Sequence, residues 1–378
     1  MAQLYNLARM TTATTGTGTI TLASAVGSYL TFAQAGASDG ETVTYAITEG
    51  LQREIGRGVY TSSGTTLTRT VLKSTNNNAA ISLSGTAEVM ITAAAEDFDD
   101  RQDVLQNILI NGDFQINQRG FAGGALAANA YGFDRWRGDV SGGNVTLSGL
   151  VATLVSGTIS QVVEPSMARL LSFASVPVTI SVDDPSRDIS VVWGTASGTI
   201  TAGSGRRGVT LTSTASGNTT LALSNASGLS FTFSRVKAEL GSLATAWQER
   251  PLPLELSLCQ RYFSKSMRQG TIPAQGAAHN TDCFFGVAAA ISGTQASATF
   301  CYFPVTMRAV PTITFFRSNR GTSNSRWQYF NNTSSWSDST VMSVPTVSET
   351  GFVTQMSGTF TAGAAISVVG GWTASAEL

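Results

Sequence analysis

The stretch EDFDDRQDVLQNILINGDFQINQRG, residues 96–120, is where the chain changes character. Gly- and Thr-rich segments with strand signals lie on both sides of it. Within it, Phe98, Leu105 and Leu109 recur near one face of a helix, with Ile108 beside them. Asp97 is placed to cap the start, and Asp99 and Asp100 suit a helix N-terminus. Asn111-Gly112 then reads as a turn that stops it. A helix of about twelve residues is marginal alone in water, so the apolar stripe needs a partner. That partner is a flanking domain or the same helix from other copies. The expectation is a helical neck over 96–110, with Phe98, Leu105, Ile108 and Leu109 as oligomerisation residues.

Composition agrees with β structure on both sides. The 378 residues are enough for two or three domains. The hydrophobic share, 42%, supports real cores, whereas the charged share is 12%, about half the usual value. Gly, Ser and Thr take up the difference. A net charge of −1 gives no electrostatic case for nucleic acid. No apolar run reaches the length of a membrane span, and MAQLYNLARM at the start has no secretion-signal pattern. Cys259, Cys283 and Cys301 form no CxxC pair and read as buried structural thiols made in a reducing compartment.

Residues 1–95 are predicted to form a small antiparallel sandwich or barrel. Val43, Tyr45 and Ile47 alternate with polar or small neighbours, Leu67 and Val71 share a face, and Val89 and Ile91 share another. Residues 111–250 contain eight strand-like runs with Gly, Ser or Asn turns between most of them, a sandwich rhythm. At 247–264, WQERPLPLELSLCQRYFS, Pro253 suits a first helical turn. Leu254, Leu258 and Tyr262 follow at i, i+4 and i+8, with Cys259 beside Phe263. In 251–378, residues 282–291 and 296–303 are expected to pair across Ser292-Gly293, and 351–360 and 364–372 are the last strands. The segment at 317–338, RSNRGTSNSRWQYFNNTSSWSD, is long, polar and aromatic, as functional loops tend to be.

Four parts of the chain resemble known sequences. GTGTITLASAVGSYLTFAQAGASDGETVTYAITEG, REIGRGVYT, TLTRTVLKS and ISLSGTAEVMITAAAEDF resemble the N-terminal domain of bacteriophage tail-fibre and related virion appendage proteins. That resemblance covers about the first hundred residues and implies docking onto a particle, without saying whether at the tail or the head. NGDFQINQRG with YGFDRWRG, and the closing FTFSRVKAELGSLATAW, resemble jelly-roll modules of the carbohydrate-binding kind found in phage fibres, many of which are spacers. LGSLATAWQERPLPLELSLCQRYF resembles a segment before the terminal domain of phage tail proteins, departing at Ala246-Trp247 where proline and phenylalanine are expected. FPVTMRAVPTITF is similar to the start of fibre tip domains.

Little in the chain points to covalent chemistry. Gly203, Gly205 and Gly208 match GxGxxG, but β-like VTLTSTAS follows where a phosphate cradle needs a helix. A glycine-rich hairpin turn exposing Arg206 and Arg207 is the better reading. His279 stands alone in a Gly/Ala/Asn stretch, with no metal-ligand or nucleophile pattern around it. Asp99-Asp100 and Asp183-Asp184 are adjacent pairs, whose side chains diverge in a strand or loop. No catalytic residue, metal site or cofactor is expected. Trp136 and Trp193 lie in β-rich runs and read as core. Trp327, Tyr329 and Trp336 sit among Asn, Ser and Arg with few aliphatic neighbours. With Arg320 and Arg326 they are the candidate glycan-binding patch, aromatic faces for sugar C–H surfaces and polar groups for hydroxyls. Local packing is the competing reading.

The expectation is therefore an all-β chain of several sandwich or jelly-roll-like domains joined by short helical linkers, assembled as a trimeric fibre. Its parts are 1–95 for virion attachment, 96–110 as neck, 111–250 as jelly-roll-like domain and 251–378 as receptor-binding tip. The resemblance implies a virion protein made in the host cytoplasm, with other virion proteins and a host-surface polysaccharide as partners and no membrane insertion. A structural connector, including a head fibre or spike, and a polysaccharide-degrading tailspike are the alternatives.

Overall fold

Alternating apolar residues separated by Gly, Asn and Ser turns produce strands throughout, and the protein is all-β with several sheets. The computed structural model describes residues 3–95, 97, 107–225, 228–275, 284–317, 325–330 and 336–378. Two compact units result, Met1–Asp103 and Val104–Leu378.

In the first unit the strands are β1 (Arg9–Thr12), β2 (Thr15–Gly16), β3 (Ile20–Ala25), β4 (Thr42–Glu49) and β5 (Gln52–Thr61). They continue with β6 (Thr66–Leu67), β7 (Thr70–Ser74), β8 (Leu83–Ser84) and β9 (Ala87–Ile91). The short helix α1 (Phe32–Ala35) follows β3, closed by a capping box between Thr31 and Gln34. The sheet order is β4-β9-β1-β3-β6-β5-β7, and β4 also pairs with β5. That extra pairing closes the path into a ring of six strands, which leaves fewer free edges. Val43, Tyr45 and Ile47 point into the core beside Leu67, Val89 and Ile91. Glu54 is buried there too. Its carboxylate accepts from the Tyr45 hydroxyl at 2.8 Å, Arg69 Nε at 2.9 Å and the Ile81 amide at 2.9 Å. Room for this network comes from Gly56, where a Cβ would lie 2.4 Å from the Thr70 carbonyl and 2.6 Å from the Tyr45 hydroxyl.

Of the expected neck over 96–110, only 97 and 107–110 are among the described residues. Asp97 does not stand free as a cap. Its carboxylate accepts from the Ala94 amide at 2.8 Å, the Thr44 hydroxyl at 3.1 Å and Arg57 at 3.0 Å, all within the first unit. Phe98 and Leu105 lie outside the described residues. Ile108 and Leu109 are not on a helical stripe. They lie outside any helix or strand, in the core of the second unit, where the Ile108 amide donates to the Ala238 carbonyl at 2.9 Å. The sandwich holds these two side chains, so copies of the chain cannot use them as a seam.

The second unit has two large cores. Around the first lie β10 (Gly124–Leu126), β11 (Arg137–Ser148), β12 (Val151–Val163), β13 (Pro177–Asp183) and β14 (Ile189–Trp193). They are joined by β15 (Ala196–Ile200), β16 (Arg206–Thr212), β17 (Thr219–Asn225) and β18 (Phe231–Leu240). Their order is β15-β14-β17-β12-β18-β13-β16, with β10 and β11 joining at β12. Trp136 and Trp193 are core residues, as their surroundings predict. The turn at Gly203 and Gly205 leads into β16, but Arg206 is not displayed. It donates to Asp183 at 2.9 Å and to the Arg235 carbonyl at 2.6 Å.

Helix α2 (Leu252–Gln260) follows, with Pro253 in its first turn. Its buried residues are Glu255 and Cys259, whereas Leu254 is exposed. Of the expected stripe, Tyr262 is buried and Leu258 packs against the core around it, and only Leu254 turns to solvent. Glu255 is drawn inward because its carboxylate receives the Asn111 amide and Arg250. The last strands are β19 (Phe263–Lys265), β20 (Phe284–Ala290), β21 (Gln295–Tyr302), β22 (Thr312–Phe316) and β23 (Gln328–Phe330). After them come β24 (Ser337–Asp338), β25 (Val341–Val347), β26 (Gly351–Ser357) and β27 (Ala365–Ser375). β20 and β21 pair antiparallel, as expected. The sheet order is β24-β23-β27-β20-β21-β26-β25, while the far half of β27 carries β19 and β22.

The two cores of this unit are joined by charged side chains. Glu377 lies between Arg119, at 3.0 Å, and Arg135. The Arg135 guanidinium also donates to the Val162 carbonyl at 2.6 Å and stacks 3.6 Å from the centre of the Tyr262 ring. Arg119 lies 3.8 Å from the centre of the Phe263 ring. Gln118 donates to Asp134 at 2.6 Å and to the Phe263 carbonyl at 2.7 Å, and Lys265 donates back to the Gln118 carbonyl at 2.7 Å. The NGDFQINQRG and YGFDRWRG motifs therefore supply a structural seam.

Two predictions follow from these buried charges. Arg69→Met would strand Glu54 in the first core, a change that typically costs about 3–5 kcal/mol. Chemical denaturation of the full-length protein should show that loss in the transition of the first unit. Asp134 is different, since burial lifts its carboxyl to about 6 despite Arg119 and Gln118. A raised acid favours the folded state when protonated. Its contribution is therefore full below the unfolded pKa and is lost as pH rises through about 6. The stability of wild type minus that of Asp134→Asn should fall between pH 4 and 7, by no more than about 3 kcal/mol. A flat or rising difference in denaturation midpoints would contradict this.

Candidate binding surface of the C-terminal domain

The five residues of the proposed patch do not share one environment. Arg320 lies outside the described residues. Trp327 is fully buried. Its ring stacks on Phe284 with centroids 5.2 Å apart, meets Phe315 edge-on at 5.6 Å, and donates from Nε1 to the Gly371 carbonyl at 3.0 Å. Gly370 makes this possible, because a Cβ there would lie 2.0 Å from the indole. Tyr329 is also buried, packed on Phe360 at 4.7 Å, and its hydroxyl accepts the Thr359 amide at 3.0 Å. These two rings belong to the core and offer no face to a sugar. The reason is strand register: Gln328–Phe330 pairs with β27, which turns Tyr329 toward the interior with Val368. Arg326 is half-buried just before β23.

Trp336 alone of the three aromatics is on the surface, 42% exposed. It is propped by Phe330, with centroids 5.7 Å apart, and by Phe285 at 6.3 Å and 67°. Asp338 lies two residues on, so it projects from the same side of the strand. Its carboxylate holds Arg317 at 2.7 Å. The corner thus combines an aromatic ring with a charged pair. Phe285 was not among the expected site residues. The Phe284-Phe285 doublet carried the signal, since adjacent residues of a strand face opposite ways and one ring had to point outward.

Behind this corner the outward side of β20 is apolar. Phe285, Val287, Ala289 and Ile291 follow one another along it. Val287, Ile291, Tyr302 and Val341 are 55–76% exposed. In β20, β21, β23, β25, β26 and β27 there is no charged residue at all.

A second concavity, of about 360 Å³, lies where Asp113, Gln115, Trp247 and Leu252 meet Asn107, Arg250 and Glu255. Several of its polar groups are engaged in the fold. Asn107 donates to Val236 at 3.1 Å and accepts the Ala238 amide at 3.0 Å, and Glu255 receives Arg250. Cys259 and Cys301 are buried thiols whose pKa burial raises, that of Cys301 to about 12. Neither is poised as a nucleophile. Cys283 and His279 lie outside the described residues. Among the described residues no group of three or more His, Cys, Asp or Glu could hold a metal ion, and no helix is long and apolar enough to cross a membrane.

No protein-family model and no curated protein matches the chain. Among solved structures, recombinant discoidin II of Dictyostelium discoideum is similar over 62% of this chain and 82% of its own, at 11% identity and a TM-score of 0.16. Wild-type discoidin II from the same organism gives 13% identity and a TM-score of 0.15, over 62% of this chain and 81% of its own. At those scores neither superposition carries a site across.

The contrast between the two tryptophans can be measured. Trp327→Ala should cost about 3–5 kcal/mol, as large-to-small changes of buried aromatics do. Trp336→Ala should stay within about 1 kcal/mol of wild type, because half-exposed surface positions tolerate change. Denaturant titration of both variants decides whether the core assignment of Trp327 holds.

Proposed function

We propose that the chain is a structural virion appendage, docked to its particle by the first unit and binding a host-surface glycan with the C-terminal domain. The docking half rests on the resemblance of the first hundred residues to phage fibre N-terminal domains. The binding half rests on one observation, the exposed Trp336 ring propped by Phe285 and Phe330 beside the Arg317–Asp338 pair. A sugar offers an apolar C–H face and a rim of hydroxyls, and this corner supplies a flat ring and charged hydrogen-bonding groups. In this reading the protein acts by adhesion without covalent chemistry, has no cofactor and works as a homotrimer. Burying roughly 50–80 Å² of sugar face on one ring contributes about 1–2 kcal/mol, so a single site is weak. Several copies on one particle raise avidity without new contacts.

A connector that binds only other virion proteins is the second reading. The rigid seam through Arg119, Arg135 and Glu377 favours it, because such a seam suits transmission of load between two domains. Host-cell binding by purified full-length protein separates the two. Adhesion predicts that Trp336→Ala lowers binding about tenfold, the equivalent of roughly 1.4 kcal/mol, with an unchanged melting temperature. Binding equal to wild type would remove this corner from the receptor site. Polysaccharide recovered from the same incubation should keep its chain length.

A further inference from the structure

The concavity of about 360 Å³ beside the first turn of α2 is built from residues that take no part in the Trp336 corner. Its size is at the lower end of the roughly 300–1,000 Å³ typical of small-molecule sites. Its floor is fixed. The Arg250 guanidinium holds Glu255 at 3.1 and 3.0 Å and donates to the Leu109 carbonyl at 2.9 Å, so the two charges offset one another. Trp247 supplies a wall. The edge of its ring sits against Gly112, where a Cβ would stand 3.2 Å from Cη2, and the Arg206 guanidinium lies 5.9 Å from the ring centre. The indole is half-buried, and its Nε1–H finds no hydrogen-bond partner among the described residues. A buried donor in that state is destabilising until an acceptor reaches it. Asp113 and Gln115 form another part of the rim. The Gln115 side-chain amide donates to Asp113 at 2.7 Å, which leaves the Gln115 carbonyl oxygen and further lone pairs of the carboxylate to accept. Glu249 is exposed on the same rim, and Leu252 adds apolar surface, 56% exposed.

We propose that this concavity is a saccharide subsite that selects sugar units bearing an amino group. Hydrogen bonding chooses the sugar. The site holds a donor, the Trp247 N–H, together with acceptors on Asp113, Gln115 and Glu249, and a hydroxyl both donates and accepts. A bare cation leaves the indole N–H unmet, and an apolar ligand leaves all of these groups unmet. The indole and Leu252 offer apolar surface to the C–H face of the ring. Charge then chooses among sugars. Arg250 is matched by Glu255, whereas Asp113 and Glu249 are in no ion pair among the described residues, so the rim carries an excess of negative charge. An ammonium on the sugar gains from that field, and a uronate carboxylate is repelled by it. The proposal goes beyond adhesion at Trp336: it places a further contact on the jelly-roll-like part and does not need that corner.

Titration calorimetry of the full-length protein at about pH 5.5, where a sugar amine is charged, tests the proposal. The probes are a glucosamine tetramer, its fully N-acetylated form, a galacturonate tetramer and spermidine. The glucosamine tetramer should bind in the millimolar range and its acetylated form about fivefold more weakly, the worth of an exposed charge pair. Galacturonate and spermidine should bind at least about tenfold more weakly than the glucosamine tetramer. Glu249→Gln, at an exposed position, should weaken glucosamine binding about threefold and leave the acetylated form unchanged, and Asp113→Asn should act in the same direction. Trp247→Phe keeps a ring, removes the N–H and should weaken both sugars alike, about fivefold, as loss of one hydrogen bond does. An unchanged melting temperature in Glu249→Gln keeps the test decisive even where Trp247→Phe fails to fold. No heat from the glucosamine tetramer at about 10 mM, galacturonate or spermidine bound as tightly as that tetramer, tighter binding of the acetylated form, or folded variants that bind as wild type does overturns the proposal. Binding of soluble sugar that responds to Asp113 and Glu249 reports on this concavity, whereas cell binding of Trp336→Ala reports on the other corner, so either can fail alone.

Discussion

Glu377 between Arg119 and Arg135 is the interaction on which the second unit depends. Burying a carboxylate and two guanidiniums is costly unless each is paired and its remaining hydrogen-bonding positions are used. Here the Val162 carbonyl accepts from Arg135, Asp134 lies 3.5 Å from Arg119, and the rings of Tyr262 and Phe263 cover the guanidiniums, although Arg119 Nη1 and Arg135 Nε find no hydrogen-bond partner among the described residues. Because the partners come from residues 119, 135, 262, 263 and 377, the arrangement is complete only when both cores are formed. The tip and the jelly-roll-like part are therefore joined as one body, with Ile110, Ile116, Cys259 and Tyr262 forming a small core beneath α2.

The same logic explains Asn111. It is fully buried at φ 57°, a conformation that asparagine tolerates better than most residues. Its side chain donates to Ile116 and Asp134, its carbonyl accepts from Trp136 Nε1 and its amide reaches Glu255. Gly112 beside it lets the Val236 carbonyl approach where a Cβ would stand 2.1 Å away. A dipeptide that reads as a helix stop is instead a node at which the entrance to the sandwich, its closing strand and α2 are held together.

The C-terminal sheet separates what holds the fold from what the fold displays. Its inner face is packed with aromatics, Trp327 on Phe284 and Phe315, and Trp372 against Phe303 and Phe352. Its outer face carries exposed apolar side chains, Phe285, Val287 and Ile291 among them.

Much of the fold was legible in the sequence. The period-two pattern places Val43, Tyr45 and Ile47 in a core, and turn residues mark the ends of most strands. The low charge and the abundance of Gly, Ser and Thr suit β-rich, turn-rich structure. Those properties depend on residues close in sequence. The site was legible only in part. Trp327, Tyr329 and Trp336 have similar polar neighbours in the chain, and composition treats them alike. Pairing of β23 with β27, some forty residues away, puts two of them inside and leaves one outside. Ile108 and Leu109 were likewise readable as apolar but not as sandwich core, and Glu255 was not readable as buried. By itself the sequence determined an all-β chain with abundant apolar strand faces. Only the tertiary structure decided which of those faces are covered, because long-range register chooses the side on which each residue falls.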